Sequence, residues 1–198
     1  MDTELAADRL KALAHPLRLR LVELLRTHGP ATATELARRV GGITSGTTSW
    51  HLRRLADHGF VRETPEQPSG RERRWQAAQA RTTLDADLLT APETRAATQA
   101  LLQELLELQV GWLRAWLAEA AEWDPAWVHA TTFSDRLVRL TPARLTELVA
   151  ALRVVLDDYE HDITAPDEDA RPVAVLLHAF PRVDVNGEPA RLPEPGSP

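Results

Sequence analysis

The stretch Thr32–Val61, TATELARRVGGITSGTTSWHLRRLADHGFV, constrains the fold of this chain more than any other. It reads as two short helices joined by a glycine turn and followed at once by a strand. Thr32 and Glu35 form a Thr-x-x-Glu capping box, which satisfies two orphan amides and starts a helix just before Leu36. Leu36, Ala37 and Val40 give that helix one apolar side. Gly41-Gly42 then breaks it, because paired glycines reach backbone angles that other residues avoid. Thr44 is the N-cap expected for a second helix running to about His58. Thr48, Leu52 and Leu55 recur in it at i, i+4 and i+7 and are expected to face inward.

That spacing leaves Ser45, Gly46, Thr47, Ser49, Trp50, Arg53 and Arg54 on the other sides of the second helix. Small polar residues followed by arginines make a poor enzyme site and a good surface for the DNA major groove. Short side chains let the helix start approach base edges, and arginines reach phosphates. The plainer alternative is two ordinary amphipathic helices in a bundle.

Four segments, two of them within Thr32–Val61, bear on that choice: LKALAHPLRLRLVELL (Leu10–Leu25), TELARRV (Thr34–Val40), TSGTTSWHLRRLADHGFV (Thr44–Val61) and SGRERRW (Ser69–Trp75). In this order and at these spacings, the segment from about Leu10 to Gln76 resembles an ArsR-type (ArsR/SmtB) winged helix-turn-helix transcriptional regulator. The resemblance implies a homodimer on double-stranded DNA, pairing through terminal helices.

Charge is divided along the chain. The net charge is −6, but residues 1–80 carry 13 Lys/Arg against 9 Asp/Glu, and residues 81–198 carry 10 against 20. A DNA-facing first part and an acidic second part directed away from phosphate fit that asymmetry. There are no cysteines, which removes disulfides, thiolate metal sites and thiol redox sensing together. No apolar run approaches the length of a membrane span, and the N-terminus lacks a basic-then-apolar signal pattern. The expectation is therefore a cytoplasmic protein.

Leu5, Leu10 and Leu13 are spaced for a short first helix. His15-Pro16 interrupts it, with His15 read as a cap or turn residue and Pro16 as the first turn of the next helix. Leu17, Leu21, Leu24 and Leu25 share one face of that helix until His28-Gly29-Pro30 ends it. After Gly59 a strand starts at Phe60, a turn-rich segment follows, and Arg71–Ala77 returns as a second strand. This hairpin is the wing. Arg71, Arg73 and Arg74 stand at or just past its tip, within reach of phosphates or the minor groove, and Trp75 is expected to pack beneath it.

Thr90-Ala91-Pro92-Glu93 reads as a second capping box opening a helix of about 30 residues, roughly 45 Å long, that stops before Asp124-Pro125. Leu101, Leu105, Leu108 and Trp112 form one apolar stripe, and Leu102, Leu106, Leu113 and Leu117 form an adjacent one. Two neighbouring stripes exceed what one small domain covers, so the second is assigned to a partner chain. Beyond it, Val128–Leu140 reads as extended, Thr141-Pro142 caps a helix to about His161, and Pro172–Pro181 reads as a buried strand. Everything after Arg182 is proline-rich and expected to be disordered.

Metal sites of the kinds used by ArsR-type sensors are absent by residue type. Arginines stand where thiolates are needed in Glu35-Leu36-Ala37-Arg38-Arg39, and Pro92–Trp123 contains no His and no Asp. Asp157, Asp158, Glu160, His161 and Asp162 read as a solvated helix end, since only Asp158 and His161 share a face at usable spacing. No catalytic motif is evident, and no cofactor is implied. Trp112, Trp116, Trp123 and Trp127 cluster in sequence, either as core or as an aromatic pocket for a small apolar or cationic effector.

The resulting expectation is a mainly α (α+β) chain. Residues 1–80 form a winged helix-turn-helix DNA-binding domain and 81–125 a long dimerisation helix. Residues 126–181 form a small α/β appendage, the candidate effector domain, and 182–198 a disordered tail. The function expected is a non-enzymatic, DNA-binding repressor. Ser45, Thr47, Ser49 and Trp50 are assigned to bases and Arg53, Arg54, Arg71 and Arg73 to the backbone, with Gly46 on the same DNA-binding face. The rival is a winged-helix protein-interaction module that does not bind DNA.

Overall fold

The structure, a computed structural model, describes residues 3–65, 73–82, 84, 87–161 and 170–183. It divides into two units, Met1–Trp123 and Asp124–Pro198.

In the first unit, α1 (Thr3–Leu13) and α2 (Pro16–His28) precede a two-residue strand β1 (Ala31–Thr32), α3 (Ala33–Val40) and α4 (Ser45–Asp57). The starts and stops follow local chemistry. Nδ1 of His15 accepts the Leu17 amide at 3.1 Å and caps α2, with Pro16 pre-set for its first turn. The capping box at α3 is reciprocal: Thr32 N–H donates to Glu35 Oε2 at 2.8 Å, and Glu35 N–H to Thr32 Oγ1 at 3.2 Å. Thr44 Oγ1 caps α4 by accepting from the Thr47 amide at 3.1 Å. Gly41 and Gly42 both have positive φ, 74° and 70°, so the turn between α3 and α4 needs residues without a Cβ. Replacing Thr32 with Ala is expected to lower stability by about 1 kcal/mol in urea unfolding, the usual cost of a lost N-cap. The Thr32 amide also holds the Glu35 carboxyl below the usual range, so this stabilisation is present above the ordinary glutamate pKa and fades in acid.

The strands β2 (Val61–Glu63) and β3 (Arg74–Ala77) form the wing, and β1 joins them in an antiparallel sheet of order β1-β3-β2. Ala31 faces Trp75 and Val61 faces Ala77. The wing is thereby tied to the start of α3. Trp75 is buried beneath it as expected, in one core with Leu21, Leu36, Leu52, Leu55 and Leu101. Leu36, Leu52 and Leu55 have no exposed surface.

After the wing the chain is fastened to α2. The Arg26 guanidinium donates to Gln79 O and Thr82 Oγ1, both at 3.0 Å. A single turn, α5 (Asp87–Thr90), then leads into the long helix α6 (Pro92–Glu119), which ends in a 3-10 turn at Ala120–Glu122. The buried hydroxyls of Thr94 and Thr98 both donate to Leu88 O, at 2.8 and 3.0 Å, and hold α5 on α6. The second capping box does not form. Ala91 is the N-cap without a side-chain bond, because Thr90 belongs to α5 and its hydroxyl donates back to Asp87 O. The two stripes of α6 separate by burial. Leu101 is buried and Leu105 and Leu108 pack on the core, whereas Leu102, Leu106, Leu113 and Leu117 are 38–64 % exposed.

The second unit contains α7 (Pro125–Ala130) and α8 (Pro142–His161). Thr141 Oγ1 accepts from the Arg144 amide at 3.3 Å, so α8 starts where the Thr-Pro pair says it should. The strands expected at Val128–Leu140 and Pro172–Pro181 are not found: residues 131–140 and 170–182 make no ladder, and Val183 is an isolated bridge position. Val128 lies inside α7, whose start is fixed by Pro125 and by Asp124 Oδ1 accepting the Ala126 amide at 2.7 Å. That helix-start pair outweighs the β-branched residues that follow it. Val173, Val175 and Phe180 are 62–74 % exposed rather than buried. Apolar β-branched residues fit a pleated surface, but a strand forms only where a second strand supplies hydrogen-bond partners. The appendage is therefore helical with extended segments among its described residues. The acidic loop and the tail from residue 184 lie outside the described residues.

Candidate nucleic-acid interface

The inner and outer faces of α4 divide as the spacing predicts. Thr48, His51, Leu52 and Leu55 are buried. Ser45, Gly46, Thr47, Trp50, Arg53 and Arg54 are exposed, and Ser49 is half-buried at the edge of that face. Thr48 spends its hydroxyl on Thr44 O at 3.0 Å, which keeps it out of the exposed set. Trp50 is 56 % exposed and meets the buried His51 edge-on, with ring centroids 4.8 Å apart.

Beside this face lies a cleft of about 450 Å³, lined by Ala33, Thr34, Ser45, Gly46, Ser49, Arg53, Arg73 and Trp75. It joins the first turns of α3 and α4 to the base of the wing. The lining is small side chains and hydroxyls with two guanidinium groups, at the amino ends of two helices whose dipoles favour anions. Thr34 and Ala33 are additions that sequence reading missed. Their signal was the capping box itself, which places them in the first turn of α3.

The arginines of the wing take different roles. Arg73 reaches back to Glu63 across the hairpin at 2.7 Å, an exposed pair that a phosphate can replace at small cost. Arg74 turns the other way, donating to Pro30 O and standing 3.9 Å from Glu35, so it fastens the wing to α3. Arg53 folds back on its own helix, its Nε donating to Ser49 O at 3.3 Å. Arg71 lies outside the described residues.

The tryptophans are only partly brought together. Trp116 and Trp123 have ring centroids 5.3 Å apart, tilted by 60°. Trp112 is half-buried one turn before Trp116. Trp127 belongs to α7 of the second unit. Among the described residues no group of three or more His, Asp and Glu is placed to hold a metal ion, and no helix is long and apolar enough to cross a membrane.

Residues 13–64 match the sequence family described as a helix-turn-helix domain, a span running from the end of α1 through β2. Over 60 residues the chain is 38 % identical to the HTH-type transcriptional regulator YgaV of Escherichia coli (strain K12). That alignment covers 30 % of this chain and 60 % of the relative's length. The mainly helical fold with a small antiparallel sheet is that of a winged helix-turn-helix domain.

Proposed function

We propose that this helix-turn-helix chain is a DNA-binding transcriptional regulator of the ArsR type. The observation that carries the reading is the outer face of α4: serine, glycine and threonine at its start, Trp50 and two arginines beyond, all outside a buried Thr48-His51-Leu52-Leu55 stripe. The helix-turn-helix family match over residues 13–64 and the 60-residue similarity to a transcriptional regulator support it.

In this reading Ser45, Gly46, Thr47, Ser49 and Trp50 meet base edges in the major groove. Arg53, Arg54, Arg71 and Arg73 hold phosphates on either side. The exposed leucines of α6 are covered by a second copy, so that two α4 helices enter successive major grooves about 34 Å apart on an inverted repeat. Such a dimer acts as a repressor when its site overlaps a promoter. A small non-metal effector seated by Trp112, Trp116 and Trp123 would shift DNA affinity by its preference for one spacing of the recognition helices. Fluorescence titration with a panel of hydrophobic metabolites tests that last element, and unchanged emission and melting throughout would count against it.

The main test is a binding titration on the DNA upstream of the protein's own coding sequence, across a salt series. Affinity is expected to fall steeply with salt. Arg53→Ala and Arg73→Ala are each expected to reduce the log-log salt slope by about 0.9, the value of one phosphate contact. No binding at low salt would favour a protein-interaction module built on the same fold.

A further inference from the structure

Beneath the exposed face of α4 lies a cluster of basic groups that the binding surface does not use. His51, on the inner side of α4, is 7 % exposed, and its ring stands 4.9 Å from that of His15 at the start of α2. The Nδ1 atom of His51 and the Nε atom of Arg18 are both buried without a hydrogen-bond partner among the described residues. Arg18 is held in place by its terminal Nη2, which donates to Lys11 O at 3.0 Å. The two rings meet between α4 and the start of α2, and the Arg18 charge acts on both.

We propose that this His15–His51 contact is a proton-responsive seat for the recognition helix, and that protonating it loosens α4 from α2 and weakens DNA binding.

Three features of the geometry carry the argument. First, Nδ1 of His15 caps α2 by accepting the Leu17 amide, and only an imidazole with that nitrogen unprotonated can do so. A second proton on His15 removes the cap. Second, a proton on Nδ1 of His51 creates a buried donor that has no hydrogen-bond partner among the described residues, a costly state in a packed contact. Third, two imidazolium rings at this separation repel one another and Arg18.

The charges around the pair do not offset this. His51 is acted on by His15 and Arg18, and His15 by Arg18 and, in the opposite sense, by Glu104 of α6. Arg54 of α4 acts on Arg18. The remaining charged or titratable groups with described side chains on the elements packed against α4 are Asp8, Arg9 and Lys11 of α1, Arg20, Glu23, Arg26 and His28 of α2, Glu35, Arg38 and Arg39 of α3, and Arg62 and Glu63 of β2. Of these, Asp8 and Arg9 act on His58 at the end of α4, together with Arg54 and Asp57. Burial first and then Arg18 hold His15 below the ordinary histidine value, with Glu104 opposing them, and burial, then His15 and Arg18, hold His51 below it.

The sign follows. Both groups bind protons less readily folded than unfolded, so their contribution is complete above the ordinary histidine pKa near 6.5 and is lost as pH falls through the lowered folded values. Any effect of added positive charge on attraction to DNA has the opposite sign.

The DNA arm of the test rests on the proposed function, whereas the melting arm does not. Thermal unfolding of wild type is expected to drop in Tm between pH 7.5 and 5.5. The double variant His15→Asn/His51→Gln should show a flatter profile, keeping the response of His58 and Glu35. On upstream DNA, wild-type affinity should fall about tenfold or more over the same interval, and the variant should lose most of that dependence. Identical pH profiles for variant and wild type, or binding that tightens in acid, overturn the proposal. If no DNA is bound at any pH, the regulator reading fails and melting alone decides the seat. Should the variant not fold, imidazole NMR of wild type decides it. His15 and His51 titrating below the ordinary value, with amide shifts in α4, support the proposal, and ordinary titration without such shifts refutes it.

Discussion

Replacing Leu106 and Leu113 together with arginine is expected to yield a folded monomer that binds upstream DNA on the order of a thousandfold more weakly, because the second half-site is lost as an intramolecular contact. Both side chains stand on the outer stripe of α6, 54 % and 39 % exposed in the single chain, so neither supports the core that Leu101 anchors. Helical content should therefore survive while the sedimentation coefficient falls to that of one chain. The physical reason is desolvation. An arginine inside a leucine-lined contact between two helices loses its water and finds no partner, a penalty that an exposed stripe does not impose. A variant that remains dimeric at micromolar concentration would place the contact between copies elsewhere and remove the proposed role of α6.

Truncating Leu52 to alanine is expected to cost about 2–5 kcal/mol in urea unfolding, a large share of the roughly 5–15 kcal/mol that holds a domain of this size. Leu52 has no exposed surface and packs in the core shared by α2, α3, the wing and α6. Its loss combines the transfer free energy of the missing carbons with a cavity beneath the recognition helix. DNA binding should fall with it even where the protein remains folded, since α4 is presented by this face. A loss of less than about 1 kcal/mol would mean that the core collapses around the gap, and that α4 is less firmly seated than its burial implies.

Several features of the interface were legible in the residues. The starts of α2, α3 and α4 were read correctly because a cap is a local event: a hydroxyl, carboxylate or imidazole, an amide two or three residues on, and little else. The glycine turn was legible for the same reason, since a positive φ is a property of one residue. The inward stripe of α4 and the two stripes of α6 followed from spacing alone, because helical periodicity fixes which side chains share a face. The failures have a common cause. Thr90-x-x-Glu93 looked like a box, but α5 claimed Thr90 first. Pro172–Pro181 looked like a strand, but strand formation needs a neighbour, which composition cannot supply.

What the sequence determined by itself is the helix-turn-helix: where its helices begin and end, and which side of α4 is buried. What only the tertiary structure decided is where remote side chains are sent. Arg73 and Arg74 are adjacent, yet one answers to Glu63 across the hairpin and the other to Pro30 and Glu35. His15 and His51 are 36 positions apart in the chain, yet their rings meet at a 51° tilt with centroids 4.9 Å apart. The physical reason is the range of the interactions. Capping and periodicity act over a few residues and are written in their order, whereas a buried contact exists only once packing has removed water from both partners.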